Sequence, residues 1–194
     1  TFSMSFIAFS TFKKVSTTGT LFSSTFQEFL DNRPVISHRL AEENNRPSQP
    51  DSTGYAPGYG ALSQDVLIPS FLSAYSGISP NSIFLSAMPA LSTIMPNWRV
   101  SYDGIGRIPV VSKVAKNVDL SHAYRCTYNV GNYTTNLGTN STDNAGNYVS
   151  QYQIGTVVIN EQFSPLILVN VTWVNNITTR VEFKKGRIMS LSMA

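Results

Sequence analysis

The sequence predicts an all-β chain whose antiparallel strands form a meander, part of a large transmembrane β-barrel, with a helical and loop insertion. Three observations carry this prediction. Residues 116–130 and 167–183 each alternate between two chemically different sets of side chains. Charged residues make up only 13% of the chain, about half of the roughly 25% usual in soluble domains. Long, two-faced strands with little charge suit a wall between lipid and water.

The segment 116–130 shows the alternation most clearly. Successive side chains of a strand point to opposite faces, so every second residue shares a face. One face is apolar and rich in aromatic rings: Val118, Leu120, His122, Tyr124, Cys126, Tyr128 and Val130. The other face is mostly polar: Asn117, Asp119, Ser121, Ala123, Arg125, Thr127 and Asn129. We therefore expect one long strand here, with Cys126 as an inert packed thiol.

The same pattern returns near the C-terminus. The odd positions from 167 to 183 are mostly apolar: Ile167, Val169, Val171, Trp173, Asn175, Ile177, Thr179, Val181 and Phe183. The even positions are mostly polar, among them Asn170, Arg180, Glu182 and Lys184. We expect a strand over about 166–183, followed by a turn at 184–187 and a further strand over 188–194.

The N-terminal half divides into two predicted units. Residues 1–19 predict a barrel strand over 1–12 and a turn near Lys13-Lys14. Residues 20–95 predict the insertion, with helices over 24–44 and 63–76, a loop over 44–60 and a short helix around 82–88. We expect Ser24 or Thr25 to cap the first helix and Pro34 to kink or divide it. The apolar residues of the insertion are too many for a free loop, and we hypothesise that it narrows or gates a pore.

Residues 96–194 predict antiparallel barrel strands. Strands are expected over 97–103, 116–130 and 149–161, besides those over about 166–183 and over 188–194. A connector with a short helix near 110–115, a polar loop over 131–147 and a turn at Pro165 separate them. Short and long connections that alternate along a meander are typical of outer-membrane barrels. Since Thr1 starts the chain and the last residues are still patterned, we expect both ends to be cuts in a longer polypeptide.

Composition argues against several classes of function. The net charge of +3 is spread along the chain, without the basic stripe and interleaved aromatics of a nucleic-acid interface. The two histidines and one cysteine are too few for a metal cage, so we predict no metal or other cofactor. No run reaches the about 18 apolar residues of a transmembrane helix.

The charged residues of the polar faces are the predicted lining of an aqueous lumen, whose field they would set. They are Arg99, Asp119, Arg125, Arg180 and Glu182. The same residues would be solvated charges on the wet side of any sheet. Five aromatic residues are predicted to face lipid in the girdles at the membrane interfaces: Trp98, Tyr102, Tyr124, Tyr128 and Trp173. The alternative places them in the core of a soluble sandwich.

A catalytic set is considered and set aside. Ser121, His122 and Asp119 suggest a triad of the kind that a barrel lipase would use. Adjacent residues of a strand point to opposite faces, so Ser121 and His122 cannot hydrogen-bond as nucleophile and base. We therefore predict that the chain is not an enzyme.

Several stretches together resemble a known family. They are Thr25-Phe26-Gln27-Glu28-Phe29-Leu30-Asp31-Asn32-Arg33, Ser63-Gln64-Asp65-Val66-Leu67-Ile68-Pro69, Met95-Pro96-Asn97-Trp98-Arg99-Val100-Ser101-Tyr102-Asp103-Gly104, Glu161-Gln162-Phe163-Ser164-Pro165-Leu166 and Asn176-Ile177-Thr178-Thr179-Arg180-Val181-Glu182. Their order is similar to the C-terminal part of the SprA/Sov family, the giant outer-membrane translocons of the Bacteroidetes type IX secretion system, which are also needed for gliding motility.

The resemblance implies a wall segment of a protein-translocation channel in the cell outer membrane. The implied partners are outer-membrane lipid, secreted cargo proteins, and the plug or shuttle barrel proteins of the secretion system. A rival reading from the residues is a soluble β-sandwich binding module, whose apolar faces would turn inward.

Overall fold

A computed structural model describes residues 1–8, 23–89, 97–138 and 141–193. Its centre is an open antiparallel sheet built from five strands: β1 (Phe2–Ser5), β2 (Trp98–Tyr102), β3 (Ala115–Val130), β6 (Thr156–Trp173) and β7 (Thr178–Ser192). A separate hairpin pairs β4 (Tyr133–Thr135) with β5 (Tyr152–Ile154). Two helices, α1 (Ser24–Glu43) and α2 (Gln64–Ser76), complete the fold. The chain is thus mostly antiparallel sheet with two helices, as the sequence predicts.

Both long helices of the predicted insertion are present. Helix α1 runs through Pro34, so this proline does not divide the segment; that it kinks the helix stays a prediction. Its N-cap is Ser23, one residue before the two predicted caps. Helix α2 follows its predicted N-cap Ser63 and ends at Gly77, whose φ of 76° is left-handed. Glycine adopts that conformation without a steric penalty at Cβ, which explains why the helix stops there.

At one edge of the sheet, β1 and β2 lie end to end in a single line along β3, and the insertion separates them in the sequence. Strands β1 and β2 both pair antiparallel with β3, β1 along 127–130 and β2 along 120–124. Between them, Cys126 accepts a hydrogen bond at its carbonyl from the Phe6 N–H (3.1 Å) and donates its own N–H to Asn97 Oδ1 (2.8 Å). The chain therefore leaves the edge after β1 and rejoins the same line at β2. The predicted residues 9–12 of the first strand and the turn near Lys13-Lys14 lie outside the described residues.

Strands β6 and β7 form a hairpin whose limits differ from the prediction. Strand β6 runs through Pro165, because the ladder to β7 shifts register between Phe163 and Ile167 and a proline without an N–H is tolerated in such an irregularity. The turn falls at 174–177, where Asn176 has a φ of 66°, a conformation that asparagine adopts more readily than most residues. The predicted turn at 184–187 is wrong, since these residues lie within β7, with Gly186 opposite Gln162.

Three smaller predictions also need correction. Residues 82–88 form a turn, bends and irregular chain, not a short helix. The connector after β2 contains a 3-10 helix at Gly104–Arg107, and 110–114 form hydrogen-bonded turns up to the start of β3 at Ala115. The predicted strand over 149–161 breaks at Gly155, because β5 pairs with β4 and not with the main sheet.

The helices cover one end of the sheet's apolar face. Side chains from helices and sheet share one core, among them Ile36, Leu72, Tyr128 and Ile159. The described part of the insertion thus lies against the apolar face, and its role in narrowing or gating a pore stays a prediction. No helix in the described ranges is both long and apolar enough to cross a membrane.

Candidate functional site

The apolar face of the sheet divides into a covered half and an open half. Ladder partners in an antiparallel pair share a face. From β3 to β6 the apolar face continues through the pairs Tyr128↔Ile159 and Leu120↔Val169. From β6 to β7 it continues through Ile159↔Met189 and Val169↔Val181. In the half that the helices cover, Tyr128, Ile159 and Met189 are buried.

The open half has no cover from the described residues. Several of its large apolar side chains are more than half exposed: Val100, Tyr102, Ile167, Val181 and Phe183, the last two at 58% and 66%. Leu120, Val169 and Val171 lie among them and are half-buried. Soluble monomers rarely expose a contiguous apolar surface of this extent without a partner or a membrane for it. We call this surface the open band.

Aromatic rings mark both ends of the open band. At the helix end, the Trp98 ring stacks on Tyr124 with centroids 4.4 Å apart, and Tyr124 contacts Phe163 at 4.8 Å. At the turn end, Trp173 is 37% exposed and donates its indole N–H to Thr179 Oγ1 (2.8 Å). Of these rings, Tyr124 and Phe163 are buried, and Trp98 and Trp173 are the partly exposed ones at the two ends. Aromatic side chains that flank an apolar surface are typical of the outer surface of membrane barrels.

The length of the open band can be estimated from the ladder. Tyr124 pairs with Phe163 at one end, and Ala115 pairs with Trp173 at the other. At roughly 3.3 Å per residue, this part of β3 spans about 30 Å along the strand. A strand tilted by about 40° would then cover about 23 Å of depth, close to the about 25 Å apolar band of outer-membrane barrels.

The opposite face carries all five residues predicted to line a lumen. Asp119 pairs with Asn170, which pairs with Arg180, so these side chains share a face. Arg99 pairs with Ala123, and Arg125 lies on the same face because it is two residues further along β3. Glu182 is held between two cations, with Arg180 Nη2 at 3.2 Å and Lys184 Nζ at 3.1 Å. Arg99 and Arg125 both line a depression of about 540 Å³ on this face. The structure thus gathers these charges on one polar side; whether that side encloses a lumen stays a prediction.

The girdle prediction is wrong for two of its five residues. Tyr124 and Tyr128 have relative exposures of 1% and 0%. The Tyr128 hydroxyl donates to the carbonyl of Ala87 (3.0 Å), so the segment that follows α2 covers it. These two side chains cannot reach lipid, because Tyr124 is packed against Trp98 and Phe163 and bonded to Ala8, and Tyr128 lies under the segment that contains Ala87. Trp98, Tyr102 and Trp173 remain on or beside the open band.

The sequence reading missed a buried carboxylate. Glu161 is fully buried on the apolar face, in ladder register with Arg187. It accepts a hydrogen bond from the Tyr124 hydroxyl (3.0 Å), whose oxygen accepts the Ala8 N–H (2.9 Å). A buried charge needs such partners. A signal for it exists in the sequence, since Glu161 interrupts the apolar odd positions Val157, Ile159 and Phe163.

The residues of the rejected triad lie as strand geometry predicts. Ser121 Oγ is 3.0 Å from Ser101 Oγ on the polar face. His122 lies on the apolar face, with Nδ1 2.7 Å from the carbonyl oxygen of Leu166 in the β6 irregularity. Each side chain has its own partner on its own side of the sheet, so this pair does not assemble as nucleophile and base.

No known protein-family profile matches the chain, and comparison with curated proteins finds no similar sequence.

Proposed function

We propose that this chain is a wall segment of an outer-membrane protein-translocation channel of the type IX secretion system, similar to the SprA/Sov family. The observation that carries the proposal is the open band between the partly exposed Trp98 and Trp173, set against a charged opposite face. An apolar surface of this depth fits the hydrocarbon of an outer membrane. The resemblance in the sequence adds the system and the kind of cargo.

The mechanism of such a wall is physical and needs no covalent chemistry. Lipid would cover the open band and hold the segment in the membrane. The polar face, with Arg99, Asp119, Arg125, Arg180 and Glu182, would line a hydrated path that offers secreted proteins few apolar contacts. Plug or shuttle barrel proteins of the system would bind elsewhere on the complete channel.

The connections support one orientation of the segment in the membrane. The short turn at 174–177 and the connector 103–114 lie at the open end of the sheet. The described residues of the long connection 131–155 and of the insertion lie at the covered end. In outer-membrane barrels the short turns are periplasmic and the long loops are extracellular. We therefore place the helices at the cell surface, on the outer side of the wall.

Fluorescence quenching by brominated phospholipids tests the proposal. A Trp98→Phe variant in vesicles retains Trp173 as its only tryptophan, and we expect lipid bromine to quench it strongly. The matched control is Trp98→Phe/Thr172→Trp/Trp173→Phe, which moves the probe one residue along β6 to the polar face. Much weaker quenching of the control is expected, because that face would contact water. Equal quenching at both positions would contradict a wall with lipid on one side.

A soluble β-sandwich binding module is the second candidate. The covered half of the apolar face favours it, since Tyr124 and Tyr128 are buried inside the chain as in a soluble core. It predicts a monodisperse chain in plain buffer, whereas the wall segment should aggregate or require micelles. Size-exclusion chromatography with and without detergent separates the two.

A further inference from the structure

The depression on the polar face combines two arginines with a widened part of the sheet. Its lining includes Asn97, Arg99, Ala123, Arg125, Gln162 and Ser164, besides the aromatic residues Trp98 and Tyr124, and its volume is about 540 Å³. Arg99 lies directly opposite Ala123, and Arg125 lies directly opposite Gln162. The two arginines are therefore diagonal neighbours on one face, at the about 7–8 Å spacing that long side chains can bridge.

The local backbone explains why a depression forms at this point. The β3–β6 ladder shifts register between Ser121 and Tyr124, so Ala123 has no ladder partner on β6. Ala123 lines the depression together with both arginines, and its methyl group fills little space. The strand line of β1 and β2 is interrupted at the same level, where Asn97 bonds to Cys126. A small side chain and two interruptions in the ladders leave room for a ligand group between the arginines.

The charge of the depression is not neutralised within the described residues. The acids on this face lie elsewhere: Glu182 is bound by Arg180 and Lys184, and Asp119 accepts a hydrogen bond from Asn117 Nδ2 (2.9 Å). Among the described residues, Arg99 and Arg125 make no ion pair within 4.0 Å. Two neighbouring guanidinium groups without a carboxylate raise the local positive potential and can bind one carboxylate from two sides.

From these observations we infer that the depression is a binding site for an acidic peptide segment, which Arg99 and Arg125 hold by its carboxylates. Gln162 and Ser164 add hydrogen-bonding groups at the rim. The identification of that peptide with passing cargo rests on the proposed function. In a channel, a weak and exposed site of this kind would hold acidic segments briefly and let them dissociate, because exposed ion pairs are individually weak and screened by salt.

Binding of two labelled peptides to the protein in micelles tests the inference. The probes are a glutamate-rich decapeptide and the same peptide with glutamine in place of glutamate, measured by fluorescence anisotropy at low salt. We expect Arg99→Gln/Arg125→Gln to weaken binding of the glutamate peptide about tenfold, and added salt to weaken wild-type binding. The matched control Arg107→Gln/Lys113→Gln removes two exposed positive charges from the connector, and we expect less than about a twofold change.

The outcomes separate this site from the proposed function. Equal weakening in both double variants, or equal binding of both peptides, overturns the site. If only Arg99→Gln/Arg125→Gln weakens binding and the protein is monodisperse without detergent, the result supports the acidic-peptide site and contradicts the membrane wall. If the protein requires lipid but the site's double variant binds like wild type, the wall stands and the site falls.

Discussion

Replacing Val181 by arginine tests which solvent contacts the open band. Val181 pairs with Val169, which pairs with Leu120, so it lies midway along the open band, between the levels of Trp98 and Trp173. If lipid covers the band, this position is near the bilayer midplane. A charged arginine there should cost about 2–4 kcal/mol of folding free energy.

If water covers the band, the same substitution should be nearly neutral. Val181 is 58% exposed, so an arginine could extend into solvent without displacing any packed side chain. Substitutions at such exposed positions usually change stability by no more than about 0.5 kcal/mol. The two solvents therefore predict costs that differ by at least about 1.5 kcal/mol, well above the error of a denaturation curve.

The measurement is equilibrium unfolding in phospholipid vesicles, followed by tryptophan fluorescence in guanidinium chloride. The control is Ser101→Arg, which places the same charge on the polar face opposite Ser121. We expect a change within about 0.5 kcal/mol for the control. A Val181→Arg variant as stable as the control would refute lipid contact.

Three further predictions test the covered half and the orientation. Tyr128→Phe loses a buried hydrogen bond and should lower the free energy of unfolding by about 1 kcal/mol. Tyr128→Ala also leaves a cavity and should lower it by about 3–5 kcal/mol. Thermal unfolding in micelles measures both, and an alanine variant as stable as wild type would contradict the packing. Burial raises the pKa of the Asp65 carboxyl above 3.8. Its contribution to stability is therefore fully present below pH 3.8 and is lost as the pH rises through the folded-state pKa. The variant Asp65→Asn should unfold at a higher temperature than wild type at about pH 7, and at the same temperature well below pH 3.8. On intact cells, an impermeant maleimide should label Asn144→Cys in the long connection but not Asn175→Cys in the short turn, and the reverse would invert the orientation.

Helix ends and strand ends differ in how far local sequence predicts them. The sequence predicts the end of α2 at Gly77, because the residue after a helix often adopts the left-handed conformation, which favours glycine. The turn at 174–177 was missed because the apolar odd positions continue on both sides of it, at Trp173 and Ile177. The hairpin then pairs odd residues with odd residues, as in Val169↔Val181. The two faces were therefore predicted correctly even though the strand limits were not.

The candidate site was only partly visible in the sequence. The five lumen residues were predicted to share a polar side, and alternation is sufficient for that. The depression between Arg99 and Arg125 depends on a register shift in the β3–β6 ladder. A register shift is a property of two strands together, and neither strand's own pattern contains it.

The sequence by itself determined that the strands are two-sided, because the face of a side chain depends only on its parity along an extended backbone. Only the tertiary structure decided which part of the apolar side is open. Tyr128 and Val181 occupy the same face, yet one is fully buried and the other is mostly exposed. The difference arises because α1, α2 and the segment after them pack over one end of the sheet, through contacts between residues far apart in the chain. Such contacts leave no periodic signal in the strands they cover.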